Sequence, residues 1–169
     1  MKSIQIHLLL CALMLSTGLV QAHGPQPHHG AAIKREQQAF GIAGDAAKVG
    51  RTIAITMGDD MRFNPDRIEV REGETLRLRI HNKGQLLHEL VIGTPKQLDE
   101  HAVLMQKFPG MEHDEAHMAH VDPGQRGEIV WRFNRAGEFD FACLINGHYQ
   151  AGMRGKIIVR PAGSKEGNR

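Results

Sequence analysis

Thiols are nearly absent from this chain: its 169 residues hold two cysteines, Cys11 and Cys143. Cys11 lies in the apolar stretch Leu8-Leu9-Leu10-Cys11-Ala12-Leu13-Met14-Leu15, between Lys2 and the small-x-small signal Val20-Gln21-Ala22. That order reads as a secretory signal peptide over residues 1–22. Cleavage after Ala22 leaves Cys143 as the lone thiol in an oxidising compartment. An internal disulfide is then excluded, and coordination is what would keep the thiol from oxidation. A second apolar run is lacking too; a spanning helix needs about 20 such residues, so no membrane insertion is expected after cleavage. Excess charge of either sign is missing, with 21 Lys and Arg against 19 Asp and Glu, which argues against nucleic acid as a partner. There is no internal repeat, and the length suits one domain with its own core. The expectation is a monomeric periplasmic protein.

Histidine, by contrast, is abundant. Eleven histidines and eight methionines in so short a chain bias it toward soft or borderline metals. Residues 23–50 read as a flexible arm that carries His23, His28 and His29 among Gly and Pro breakers, with little fixed structure expected from Ala39 to Val49. From Arg51 the apolar period becomes two. Ile53 and Ile55, Ile68 and Val70, Leu76 with Leu78 and Ile80, His88 with Leu90 and Ile92, Ile129 with Trp131 and Phe133, and Phe139 with Phe141 and Cys143 each share a face. Short strands between Gly, Pro and Asn turns predict an antiparallel β-sandwich over residues 51–161, with a flexible tail at 162–169. One short helix is inserted around 95–108, where Thr94-Pro95-Lys96-Gln97 forms a capping box and Leu98, Ala102 and Met105 follow at helical spacing.

Cys143, His148 and Met153 stand at even five-residue steps just before the terminal apolar run Lys156-Ile157-Ile158-Val159. A strand delivering Cys143 and a tight loop delivering His148 and Met153 would bring the three donors to one point. His88, on a matching strand parity, offers a second imidazole. Two imidazoles and a thiolate with a weak axial thioether are the donors of a mononuclear electron-transfer copper site.

The stretch Met61-Arg62-Phe63-Asn64-Pro65-Asp66-Arg67-Ile68-Glu69-Val70, then His88, then Cys143 to Met153, resembles the cupredoxin family of plastocyanin, azurin and auracyanin. The resemblance covers roughly Arg51 to Arg160. It implies a Greek-key β-sandwich with one type 1 copper per chain, His88, Cys143 and His148 equatorial and Met153 axial. The donor-rich loop and amino terminus are more similar to periplasmic cupredoxins associated with copper tolerance. The function so implied is copper handling through copper binding and electron transfer, with copper ions as partners and an unspecified redox protein. Two positions depart from the family pattern. Glu89 stands where many relatives have an Asn that ties the ligand loops together, and Asn146 where many have Pro.

A second set of donors lies outside that run. Met111, His113, His117, Met118 and His120 crowd one loop, and His113 and His117 are spaced to share a face if one helical turn forms. His23, as a new amino terminus, would offer its amine and imidazole, with His28 or His29 completing a set. These are candidate secondary copper sites. They keep open a cuprous oxidase that uses the loop as substrate site, beside a general carrier for respiratory or photosynthetic partners; an electron-transfer or metal-binding protein is preferred to an enzyme. Other enzyme classes fail on spacing. His88-Glu89 is followed by Leu90-Val91-Ile92 rather than a second histidine, so no zinc-protease helix is present. Ala142 and Leu144 flank Cys143 where multicopper oxidases carry histidines.

Overall fold

The computed structural model describes residues 35–109 and 114–164 of the chain. Ten strands run in chain order: β1 (Ile42–Ala43), β2 (Arg51–Gly58), β3 (Arg62–Asn64), β4 (Arg67–Arg71), β5 (Thr75–Asn82), β6 (His88–Gly93), β7 (Met118–Val121), β8 (Arg126–Arg132), β9 (Gly137–Ala142) and β10 (Arg154–Arg160). The single α-helix, α1 (Pro95–Lys107), lies between β6 and β7. The strands form two five-stranded sheets, β1-β8-β5-β2-β3 and β4-β10-β9-β6-β7. Period-two faces from both sheets meet in one core that holds Ile55, Leu78, Ile80, Trp131, Phe133, Phe141 and Ile157, each at most 1% exposed. Burying one face of each sheet is what the alternation dictates.

The sandwich is as expected from the sequence, but its sheets are mixed rather than wholly antiparallel. β2 pairs parallel with β5, and β4 pairs parallel with β10. The chain leaves β2, places β4 in the opposite sheet, and returns to lay β5 beside β2 in the same direction. A crossover of this kind makes a parallel neighbour without a helix, and side-chain alternation carries no record of it.

Residues 38–50 also differ from the arm expected there. Phe40 is 1% exposed and Ala43 5%. β1 pairs with β8, and Asp45 caps a 3-10 turn at Ala46–Lys48. Phe40 stacks on Trp131 with ring centroids 5.4 Å apart, and its carbonyl accepts the indole N–H at 3.0 Å. Gly41 makes this approach possible. With φ at +129°, it lies where a Cβ would strike the Arg132 carbonyl and the Trp131 ring. A two-residue strand is too short to show a period, so the segment looked unpatterned.

Helix α1 starts where the capping box sets it. The Thr94 hydroxyl accepts the Gln97 N–H, and the Gln97 side chain in turn accepts the Thr94 N–H. Its buried side chains are Leu98, Ala102 and Met105. They pack on the outer face of the second sheet against Val91, Met118, Ala142, Leu144 and Tyr149, forming a second small core. This cover explains why all six residues of β6 are buried although the sequence shows only one apolar face for them.

Candidate metal centre

Cys143 is the first residue after β9, and its N–H donates to the Met153 carbonyl at 3.1 Å as the chain turns into β10. The loop between them is closed by its own backbone. The His148 N–H donates to Ile145 at 2.9 Å, Ala151 to Gly147 at 3.0 Å, and Met153 to His148 at 3.1 Å. Gly147 and Gly152 supply the positive φ angles of 89° and 91° that such a tight path requires. From outside the loop, the Arg62 guanidinium donates to the Ala151 carbonyl at 3.0 Å. His88 opens the neighbouring strand β6, which runs antiparallel to β9.

Three of the four sequence-predicted donors lie close together. One ligand atom each from His88, Cys143 and His148 lies within 4.8 Å of the others, and among the described residues this is the group of His, Cys and carboxylate donors that converges so. Nδ1 of His148 is 3.3 Å from the Cys143 sulfur, and Nδ1 of His88 is 4.0 Å away. Met153 is fully buried in the same inner core as Cys143. Soft sulfur and borderline nitrogen make a donor set suited to copper rather than to a hard cation. The burial of Cys143 pushes its thiol up to about 12, against the opposing pull of the Glu89 and Ile145 N–H groups. A thiol so placed stays protonated at neutral pH, and metal binding releases that proton. His148 is shifted downward, first by burial and then by its neighbour His88. Its neutral form, the one that ligates, is favoured.

Glu89 accounts for one departure from the family pattern. Its N–H donates to the Cys143 sulfur at 3.4 Å. Its carboxylate, 1% exposed, accepts the Leu144 N–H at 2.8 Å. The other oxygen stands 2.8 Å from Nε2 of His120 on β7. A longer side chain thus ties β6 to the residue after Cys143 and stands beside His120 on β7. Glu89→Ala leaves the buried Leu144 N–H unpaired, which costs roughly 1–3 kcal/mol. Glu89→Gln retains an acceptor there and is expected to lose much less. Urea midpoints of the metal-free proteins, at unchanged m, separate the two outcomes.

Tyr149 beside His148 is braced in a way the sequence did not suggest. Its hydroxyl donates to Asp99 of α1 at 2.6 Å, and the Arg154 guanidinium lies 4.3 Å from its ring centre. Burial and the Asp99 carboxylate push this phenol up to about 12. The inserted helix is thereby fastened to the ligand loop. Tyr149→Phe is expected to lower the stability of the metal-free protein by about 1 kcal/mol, the net worth of one such bond to a solvated carboxylate.

The candidate secondary donors fare differently. His117 sits in a turn with its ring 5.3 Å from Phe40 and 5.8 Å from Trp131, between centroids. Met118 is buried under α1, and His120 meets Glu89. These three side chains have separate neighbours and are not brought to one point. Met111, His113, His23, His28 and His29 lie outside the described residues.

Comparison with known proteins fits this geometry. A family model described as a cupredoxin-like domain matches residues 34–159. A protein of Rubrivivax gelatinosus named copper-resistant cuproprotein CopI is 45% identical over 157 residues, covering 90% of this chain and 94% of its own. Its namesake from Pseudomonas aeruginosa is 34% identical over 90% of this chain and 97% of its own. Among solved structures, reduced auracyanin from Roseiflexus castenholzii superposes with a TM-score of 0.55 at 23% identity, over 67% of this chain and 99% of its own. That likeness concerns the fold. Similarity to the two cuproproteins extends over most of each chain. This chain belongs to the cupredoxin family, among its copper-resistance cuproproteins, and copper is the metal it binds.

Proposed function

We propose that the protein is exported to the periplasm, holds one type 1 copper, and serves copper tolerance by binding the ion and passing electrons to or from it. The observation that carries this reading is the convergence of His88, Cys143 and His148 within 4.8 Å at one end of the sandwich. In this reading those three residues would hold the copper, with the Met153 thioether as a weaker fourth donor. When bound, the copper supplies a one-electron couple. The chain's own residues hold the donors on strand ends and a self-closed loop, so a change of oxidation state demands little movement. A thioether donor favours Cu(I). Strand burial on both faces keeps bulk water from the sulfur.

The outer rim suits contact with a redox protein. Leu86 and Leu87 are 48% and 40% exposed beside His88, while Ala151 is exposed next to the half-buried His148. The relatives named for copper resistance support tolerance over simple respiratory shuttling.

The biological test is complementation. A strain lacking the protein is expected to grow less well in copper, and the wild-type chain to restore growth where a Cys143→Ser chain does not. Full rescue by the Cys143→Ser chain would remove the type 1 site from the tolerance function. Mass spectrometry of the exported protein tests its processing. A mature chain beginning at His23 is expected, and one retaining residues 1–22 contradicts the proposed cleavage.

A further inference from the structure

Asp59 lies in the turn between β2 and β3, 29 residues before His88 in sequence, yet its Oδ1 is 3.1 Å from Nε2 of that histidine. The contact is built from several directions. Oδ2 of Asp59 accepts the Gln85 N–H at 2.8 Å, and Oδ1 accepts the Leu86 N–H at 3.3 Å. Gly84 has no side chain, and a Cβ there would collide with the carboxylate. Asn82, fully buried, steadies the same loop. Its amide donates to the Leu86 and Val121 carbonyls at 2.7 and 2.9 Å, and its oxygen accepts the Gly84 N–H at 2.9 Å. The loop that delivers His88 is thus wrapped around one carboxylate.

The chemistry of the contact is one-directional. A carboxylate only accepts, so Nε2 of His88 must carry the proton and Nδ1 must present its lone pair. Nδ1 is the atom that faces Cys143. A carboxylate behind a metal-ligating histidine fixes the ring, makes it a stronger donor and places negative charge near the ion. Each of these effects stabilises the more highly charged oxidation state.

We propose that Asp59 is a positioning residue of the copper centre that locks His88 in its ligating tautomer and biases the site toward Cu(II). This inference rests on the proposed role of His88 as a ligand. Asp59 counteracts the thioether: Met153 favours Cu(I) while Asp59 restrains that preference. A centre balanced in this way can accept an electron and also release one at the modest driving forces of copper handling.

The test uses the full mature protein with wild-type and Asp59→Asn chains. Asparagine keeps the size and, with its oxygen at the Oδ1 position, an acceptor for the Leu86 N–H and for Nε2 of His88; it removes the charge and the acceptor for the Gln85 N–H. The Cu(I)-to-Cu(II) ratio at a fixed applied potential is expected to rise at least tenfold in the variant. For one electron that is an upward shift of about 59 mV in reduction potential. The thiolate-to-copper band should persist in both proteins, which shows that the ligand set is intact. A ratio within twofold of wild type overturns the proposal. Long-range 15N NMR of the metal-free wild-type protein is a second measurement that needs no variant. It should find His88 protonated at Nε2, and a proton at Nδ1 instead would refute the inference even if the variant failed to fold. Loss of the band already in the wild type would instead overturn the assigned ligand set.

Discussion

A Cys143→Ser protein is expected to be colourless when loaded with Cu(II) and to hold the ion far less tightly than wild type. Cys143 is fully buried between its two imidazole neighbours, so its thiolate would be the strongest donor at the centre. Serine offers a hydroxyl that does not ionise at neutral pH and is a poor match for a soft ion. Without a sulfur-to-metal bond the intense visible transition has no origin, and only weak ligand-field absorption remains. Outer-shell substitutions around metal sites cost roughly 10–100-fold in affinity, and losing the thiolate itself is expected to exceed that range. The fold should survive. The serine hydroxyl replaces a thiol of nearly the same shape, and the N–H groups that met the sulfur retain an acceptor. Competition against a chelator for affinity, with absorption and circular dichroism, separates a lost ligand from a lost fold. An intense band in the serine variant would place the chromophore elsewhere.

Trp131→Ala is expected to produce the largest loss of stability in the described fold, about 3–5 kcal/mol by analogy with other large-to-small core replacements. The indole is 1% exposed, stacks on Phe40, and donates to the Phe40 carbonyl at 3.0 Å. Its removal empties the space that anchors residues 38–43 to β8, and leaves that carbonyl without its partner. Two measurements check this. The urea midpoint of the metal-free protein should fall, and hydrogen exchange at Gly44, whose N–H donates to the Val130 carbonyl at 2.9 Å, should accelerate. A variant that loses stability while Gly44 stays protected would mean that the amino-terminal strand is held by something other than the tryptophan.

The sequence made the site legible far better than it made its supports. His88, Cys143, His148 and Met153 could be found because the chemistry of each donor is distinctive and three of them are evenly spaced. Helix α1 was legible because its cap is local: Thr94, Pro95 and Gln97 are near neighbours in the chain. Long-range relations were not. The parallel pairings of β2 with β5 and of β4 with β10 depend on which sheet the chain visits between them, and alternation is blind to that choice. Phe40 falls in the stretch from Ala39 to Val49 where little fixed structure was expected, and its partner Trp131 lies 91 residues further on. Asp59 resembled any turn aspartate until the loop before His88 closed over it.

Glu89 illustrates a different limit. As a sequence feature it was a departure from the family, an acid in place of a neutral amide. Its carboxylate accepts the Leu144 N–H, 55 residues further along the chain, and nothing local to Glu89 foretells that contact. Helix α1 supplies Asp99 to Tyr149. An insertion that looked separate from the metal centre is packed against Val91, Ala142 and Leu144 and bonded to Tyr149 of the ligand loop.

One buried thiolate and two imidazoles are proposed to hold a single copper in this protein. Metal analysis of the purified mature protein, together with its visible and EPR spectra, tests this most directly. The expected result is one tightly held copper per chain, an intense thiolate-to-copper band that vanishes on reduction, and one dominant EPR signal that is lost with Cys143. Copper retained without that band, or unaffected by the loss of Cys143, would contradict it.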